Sequence, residues 1–345
     1  MFRISCLLGI FLFMMACSQR GHIAYGKAAP GATLVDIWVA KFRSDQPPAL
    51  GQTLPPRPAG MTFQKEAVSI PQTHQTGKIE WPDGLPDAQS DFVTLSTQAY
   101  PTLNGFAAQV AHNTDRGSDE VMLFVHGYNY THGEAVYLLA QMAYDFKVPA
   151  PTVLFSWPSA GKSVGYLYDR DSVLIARDQL EKVIIALTKQ RGKKLLLVGH
   201  SLGNFLIMET LRQIEITGSV NIRQSIDTLV MLSPDIDGEL FYTQASRLRQ
   251  LPDPSIIVAV SEDRALRLSA FLTGRTNRLG SETDKLAIRD LPITVVDASG
   301  LSNSISNHNV AMTSPAAISI LTRMGNGARL WQTNTPRLIN LAGAR

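Results

Sequence analysis

The chain has 345 residues, 45% of them hydrophobic and 18% charged, enough to bury a full core in one large domain. A net charge of only +3, with Lys and Arg dispersed along the chain, argues against nucleic-acid binding. The two cysteines are Cys6 and Cys17, no Cys or His cluster has zinc spacing, and no phosphate-cradling or dinucleotide-binding glycine loop occurs, so neither a metal nor a cofactor is expected.

At the amino terminus Arg3 precedes the uncharged apolar run from Ile4 to Ala16. Such a run matches a signal h-region of roughly 7 to 15 residues and falls short of the roughly 20 needed to span a bilayer. Met14-Met15-Ala16-Cys17 then resembles a bacterial lipobox, in which a small residue precedes the cysteine that is acylated, although Met occupies the positions two and three before the cysteine. The expectation is a signal peptide over residues 1–16, cleavage before Cys17 and a membrane anchor by lipid on Cys17. Ser18 lacks the Asp associated with inner-membrane retention, which points to an outer-membrane lipoprotein facing the periplasm; secretion is the alternative. Cleavage there leaves no intramolecular disulfide. Residues 17–33 read as a tether, 34–324 as the folded domain and 325–345 as a loose tail.

Val35 to Phe42 and Glu66 to Ile70 read as strands, with the proline-rich stretch from Gln46 to Gly60 a loop between them. From Glu120 strands and helices alternate, the pattern of a mostly parallel central sheet with helices on both faces. Strands are predicted over Val121–Val125 and Thr152–Trp157, and helices over Thr131–Phe146 and Ser172–Gln190. In the second helix Val173, Ala176, Leu180, Val183 and Leu187 fall at spacings of three and four, a stripe that packs on a sheet. Further strands follow at Thr228–Leu232, Ser255–Val260 and Ile293–Val296.

Between these lies Lys193 to Asn204, KKLLLVGHSLGN, in which an apolar strand runs into Gly199-His200-Ser201-Leu202-Gly203. A nucleophilic serine on a strand-to-helix turn leaves no room for side chains two residues before and after it, so glycines at 199 and 203 mark Ser201 as a nucleophile opening the helix Ser201–Ile216. Along the α/β-hydrolase fold the order is nucleophile, acid, histidine. His308 is the one histidine beyond Ser201, so it is the candidate base. Asp263 follows the second strand after the nucleophile and is the favoured acid. Asp235 is the main rival, with Asp237 beside it, and Glu262 and Asp297 are weaker ones. The oxyanion donors are expected to be the N–H of Leu202 and the N–H of Tyr128 in the segment Leu123–Asn129, where Gly127 allows close backbone approach. His126 and His200 read as packing residues.

The strings FVHGYN at 124–129, FSWPSAG at 155–161, GHSLGN at 199–204, SPDID at 233–237 and VSEDRAL at 260–266 together resemble a bacterial α/β-hydrolase family of unassigned substrate. Val68-Ser69-Ile70-Pro71 with His74 and Gly77 resembles that family's segment before the hydrolase core, and the likeness runs from about Val35 to Met324. Val39 to Arg43 departs from it, lacking the Thr that often precedes the family's basic residue. The resemblance implies Ser201, Asp263 and His308 as the triad, Tyr128 and Leu202 as oxyanion donors, and Asn204 and Trp157 as framework. The function expected is a serine hydrolase of a small-molecule or lipid-like acyl ester. The alternative is a catalytically silent, hydrolase-fold binding or scaffold lipoprotein of the cell envelope. Tyr166, Tyr168, Met208 and Phe241 are open between core and acyl pocket.

Overall fold

The computed structural model describes residues 21–341 apart from 45, 114–118, 191, 262, 275–277, 282–287, 289, 302–306 and 327–336. The predicted signal peptide, Cys17 and Glu262 lie outside these residues. Three strands come first, β1 (Thr33–Lys41), β2 (Thr62–Ile70) and β3 (Val93–Tyr100), followed by α1 (Leu103–His112). The alternating part runs β4 (Glu120–Val125), α2 (His132–Asp145), β5 (Thr152–Ser156), α3 (Tyr166–Thr188), β6 (Lys194–His200) and α4 (Leu202–Thr217). It continues with α5 (Ile222–Ser225), β7 (Ile226–Leu232), α6 (Gly238–Arg247), β8 (Ser255–Ala259), α7 (Arg264–Leu272) and β9 (Ile293–Asp297). The last elements are α8 (Val310–Thr313), α9 (Pro315–Asn326) and β10 (Arg337–Asn340).

The ten strands form one sheet in the order β10-β9-β8-β7-β6-β4-β5-β1-β2-β3. It is parallel from β10 to β1, and β2 and β3 add an antiparallel edge. Period-two alternation sends neighbouring side chains to opposite faces, so a sheet covered on both sides needs apolar residues at every position. In β1, Trp38 and Ala40 join the core layer with α1, α3 and α4, while Ile37 and Val39 join the layer with α2, α8 and α9. In β4, Leu123 and Phe124 divide the same way. The predicted stripe of α3, from Val173 to Leu187, is buried along its length against the first layer.

Two expectations need correction. The tether is partly built into the fold: Gly21 accepts the Thr131 hydroxyl at 2.8 Å, Ala24 exchanges hydrogen bonds with the Tyr137 hydroxyl, and Ala24 and Gly26 pair with Thr94 of β3. These are mostly backbone contacts, which leave no side-chain periodicity to read. The stretch read as a loose tail contributes to the sheet, since its residues 337–340 form β10 and pair in parallel with β9. Strand β3 and α1 fall on residues for which no element was predicted. Strand β3 is an edge exposed from Ser96 to Ala99, and α1 buries only Phe106, Ala107 and Val110.

Candidate functional site

Strand β6 leads directly into α4, and the junction is Ser201, with φ 51° and ψ −124°. Glycine adopts such a conformation freely, whereas any other residue is strained in it. The turn is clamped on both sides. Its carbonyl accepts the Asp235 N–H at 3.2 Å and the Asn204 amide at 3.2 Å, while the same amide reaches the Leu232 carbonyl at 3.1 Å. The flanking glycines are sterically required: a Cβ on Gly199 would lie 2.2 Å from Asn204 Oδ1, and one on Gly203 would lie 2.4 Å from the carbonyl oxygens of Val125 and His126. Asn204 therefore acts as the staple of the turn.

His308 sits in the loop between β9 and α8, its ring against that of His200 at 4.8 Å. Its Nδ1 lies 2.6 Å from Oδ2 of Asp263, and the Asp263 side chain is buried. The other carboxylate oxygen, Oδ1, caps α7 by accepting the N–H groups of Ala265 and Leu266 at 2.9 and 3.1 Å. Asp263 thus reaches His308 from the amino-terminal end of a helix that it also caps.

The rival acids have other partners. Asp235 is buried and accepts the hydroxyls of Tyr166, at 2.9 Å, and Ser269, and pairs with Arg278 at 3.3 Å. Asp237 caps α6 through Leu240 N–H, and Asp297 binds the N–H of Ser299.

The loop after β4 packs against Ser201. A Cβ on Gly127 would fall 2.9 Å from both Ser201 Cβ and His200 Nδ1, so only glycine lets this loop come so close. Two devices hold it in place. Thr131 and Glu134 form a reciprocal capping box at the start of α2. Asp169, fully buried on α3, accepts the Asn129 N–H at 3.2 Å, the Ser159 hydroxyl at 2.6 Å and the Ala160 N–H at 2.6 Å. Burial pushes the Asp169 carboxyl up to about 6, although those three donors pull it down. It gave no signal in the sequence, because its partners come from two separate loops. Leu202 opens α4, and a first-turn N–H has no intrahelical acceptor.

His126 is buried and stacks on Trp157 at 5.2 Å, and the Trp157 indole donates to its carbonyl at 2.7 Å. Burial, reinforced by the Arg43 charge, lowers its imidazole to about 3, so it stays neutral. His200 is likewise held neutral by burial and by the neighbouring His308.

Ser201, His308, Tyr128, Tyr166 and Asp235 all line one cavity of about 440 Å³. Its apolar walls include Leu266 and Leu272 of α7 together with Ile79, Trp81 and Leu138. Of the four residues left open between pocket and core, Tyr166 faces the cavity, and burial beside Asp235 pushes its phenol up to about 12. Met208 and Phe241 are core, and Tyr168 donates to the Pro55 carbonyl under Arg57. The walls from residues 77–81 were not legible, since that loop carries no periodic pattern. Among the described residues no group of three or more His, Cys, Asp or Glu is placed to hold a metal ion.

A mostly parallel sheet with helices on both faces, carrying a strained serine at a strand-to-helix turn above its centre, defines an α/β hydrolase. The family model of the α/β hydrolases of unknown function (DUF900) matches residues 105–324, and the chain belongs to that family. No curated protein matches the sequence. Among solved structures, dienelactone hydrolase from Anabaena variabilis is similar over 79% of this chain and 93% of its own, with 10% identity and a TM-score of 0.42. Carboxyl esterase 2 from Tuber melanosporum is similar over 90% and 91% respectively, with 12% identity and a TM-score of 0.39.

Proposed function

We propose that this hydrolase cleaves carboxylic esters through an acyl-enzyme on Ser201. The observation that carries the reading is the 2.6 Å contact of Asp263 with Nδ1 of His308, made beside a strained serine in the same cavity. With Nδ1–H given to Asp263, the His308 Nε2 is the basic nitrogen. It takes the Ser201 proton as Oγ attacks the ester carbonyl, and Asp263 stabilises the resulting imidazolium. The tetrahedral oxyanion is held by the N–H groups of Leu202 and Tyr128. Its collapse breaks the ester C–O bond, and His308 returns the proton to the departing alkoxide. Water, deprotonated by the same imidazole, then attacks the acyl-enzyme and releases the acid and free Ser201.

A serine-directed fluorophosphonate tests this. Wild-type protein labels covalently, Ser201→Ala does not, and His308→Ala labels far more slowly. A folded wild type that neither labels nor hydrolyses any short-chain aryl ester overturns the proposal and leaves the silent scaffold.

We also propose that the enzyme works in the bacterial envelope, anchored by acylated Cys17, as an outer-membrane lipoprotein facing the periplasm. Four peptide steps from Cys17 to Gly21 reach at most about 14 Å, so such an anchor keeps the domain close to the bilayer. A Cys17→Ala protein should leave the membrane fraction; continued fractionation with membranes would sink the acyl anchor.

A further inference from the structure

Helix α7 is amphipathic in the wrong sense for a helix whose only task is to fold. Its buried positions hold Leu266, Ser269 and Ala270, while its largest apolar side chains point outward, Leu268 at 54%, Phe271 at 82% and Leu272 at 48% exposure. Arg264, Arg267, Leu268, Phe271 and Leu272 follow the spacing i, i+3, i+4, i+7, i+8, so they form one exposed stripe, cationic at its start and apolar at its end. The helix is firmly seated. Asp263 caps it, and Ser269 bonds the Tyr166 hydroxyl at 2.9 Å and the Asp235 carboxylate.

This stripe is continuous with the candidate site, because Leu268 and Leu272 are also walls of the cavity that holds Ser201 and His308. A second exposed apolar pair, Val164 at 81% and Leu167 at 68%, lies within two residues of Tyr166 in the chain, and Tyr166 lines the same cavity. Exposed apolar side chains around a cavity mouth mark an interaction surface. A few protruding side chains fall well short of the roughly 800 Å² per partner that a stable protein interface covers. They suit a bilayer surface, where bulky apolar groups enter the acyl boundary and arginines meet anionic headgroups.

We propose that α7 docks the enzyme on an anionic bilayer surface, with Phe271 and its neighbouring leucines inserted and Arg264 and Arg267 on the headgroups. The cavity mouth then opens onto the lipid, and an acyl chain reaches Ser201 along Leu268 and Leu272 without crossing water. The substrate class is a membrane-resident ester; this part rests on the hydrolase reading above, whereas the docking does not.

The test is amide hydrogen exchange of the full chain, with and without vesicles of phosphatidylglycerol and phosphatidylcholine. Exchange over residues 264–272 should slow on the anionic vesicles and slow less on pure phosphatidylcholine. The Phe271→Ser/Arg267→Gln double variant should lose that protection and at least tenfold of its turnover of a vesicle-borne ester, while its turnover of a soluble short-chain ester stays within twofold of wild type. No protection in the wild type, or equal protection in the variant, overturns the docking. Protection that grows with protein concentration in the absence of vesicles assigns the face to a second copy and also overturns it. Protection on vesicles with no turnover of any ester leaves the docking standing and removes the hydrolase reading instead.

Discussion

Asp263 serves His308 and its own helix with separate oxygens, Oδ2 on the imidazole at 2.6 Å and Oδ1 on two backbone N–H groups. The carboxylate cannot turn away from the histidine without uncapping α7. Asp263→Asn keeps a capping oxygen but faces Nδ1 with an amide, which selects the wrong tautomer. It should lower kcat by about 10³- to 10⁴-fold with little change in KM. Steady-state kinetics on a soluble ester measures it.

Asp235→Asn should behave in the opposite way. The ion pair with Arg278 is buried on both sides, at 3% and 2% exposure. Breaking such a pair strands a buried charge and costs up to about 3–5 kcal/mol. Denaturant unfolding should show that loss, while the folded fraction keeps kcat within tenfold. A variant as dead as Asp263→Asn and as stable as wild type would reverse the two assignments.

Gly127→Ala tests the close approach of the loop after β4. The added methyl would meet Ser201 Cβ and His200 Nδ1 at 2.9 Å, so the loop must retreat by some tenths of an ångström. Oxyanion donors displaced by that much lose strength in the transition state, and a kcat drop of about 10²-fold is expected. Binding of a substrate-like ketone in its unreacted form should change little.

Asp169 gives a pH signature. Its folded-state value of about 6 lies above the ordinary 3.8, so its contribution to stability is fully present below about pH 3.8 and is lost as pH rises through about 6. Asp169→Asn removes that slope. Unfolding free energies of wild type and variant, compared between pH 4 and 7, should diverge across this window and run parallel above it. The variant should also lower kcat, because Asn129 and Ala160 donate to different carboxylate oxygens and an amide keeps only one of the two acceptors.

His74 should produce a slope at higher pH. Burial alone would lower its imidazole, but hydrogen bonds to Asp145 and Glu80, at 3.1 and 2.8 Å, outweigh burial and raise it above 6.5. Its stabilisation is therefore complete below about pH 6.5 and fades as pH rises through the raised value. The Tm of wild type should fall between pH 6 and 8.5 more than that of His74→Asn. The cluster bears on the site, since Asp145 holds Gln141, which donates to the Met312 carbonyl at 3.2 Å, four residues after His308.

What was legible in the sequence was chemistry with short spacing. Gly199, Ser201 and Gly203 announce a strained turn because the steric demand is local, and the α3 stripe announces a helix because one face must meet the sheet. The order of Ser201, Asp263 and His308 along the chain followed from how strands succeed one another in such a sheet. The supports were not legible. Asp169 joins two loops, one 9 or 10 residues before it and the other 40 before it, and His74 draws its carboxylates from 6 and 71 residues away. Nothing in composition or period marks such pairings. The outward leucines and phenylalanine of α7 were equally hidden, because their spacing fits a buried face as well as an exposed one.

A non-glycine residue at φ 51°, ψ −124° carries a penalty of order 1–3 kcal/mol, which glycine would remove. Ser201→Gly should therefore yield a protein that melts at a higher temperature and does no chemistry. Directed evolution for heat resistance alone would drift toward that inert form, and a campaign to harden this enzyme must screen for turnover at every round.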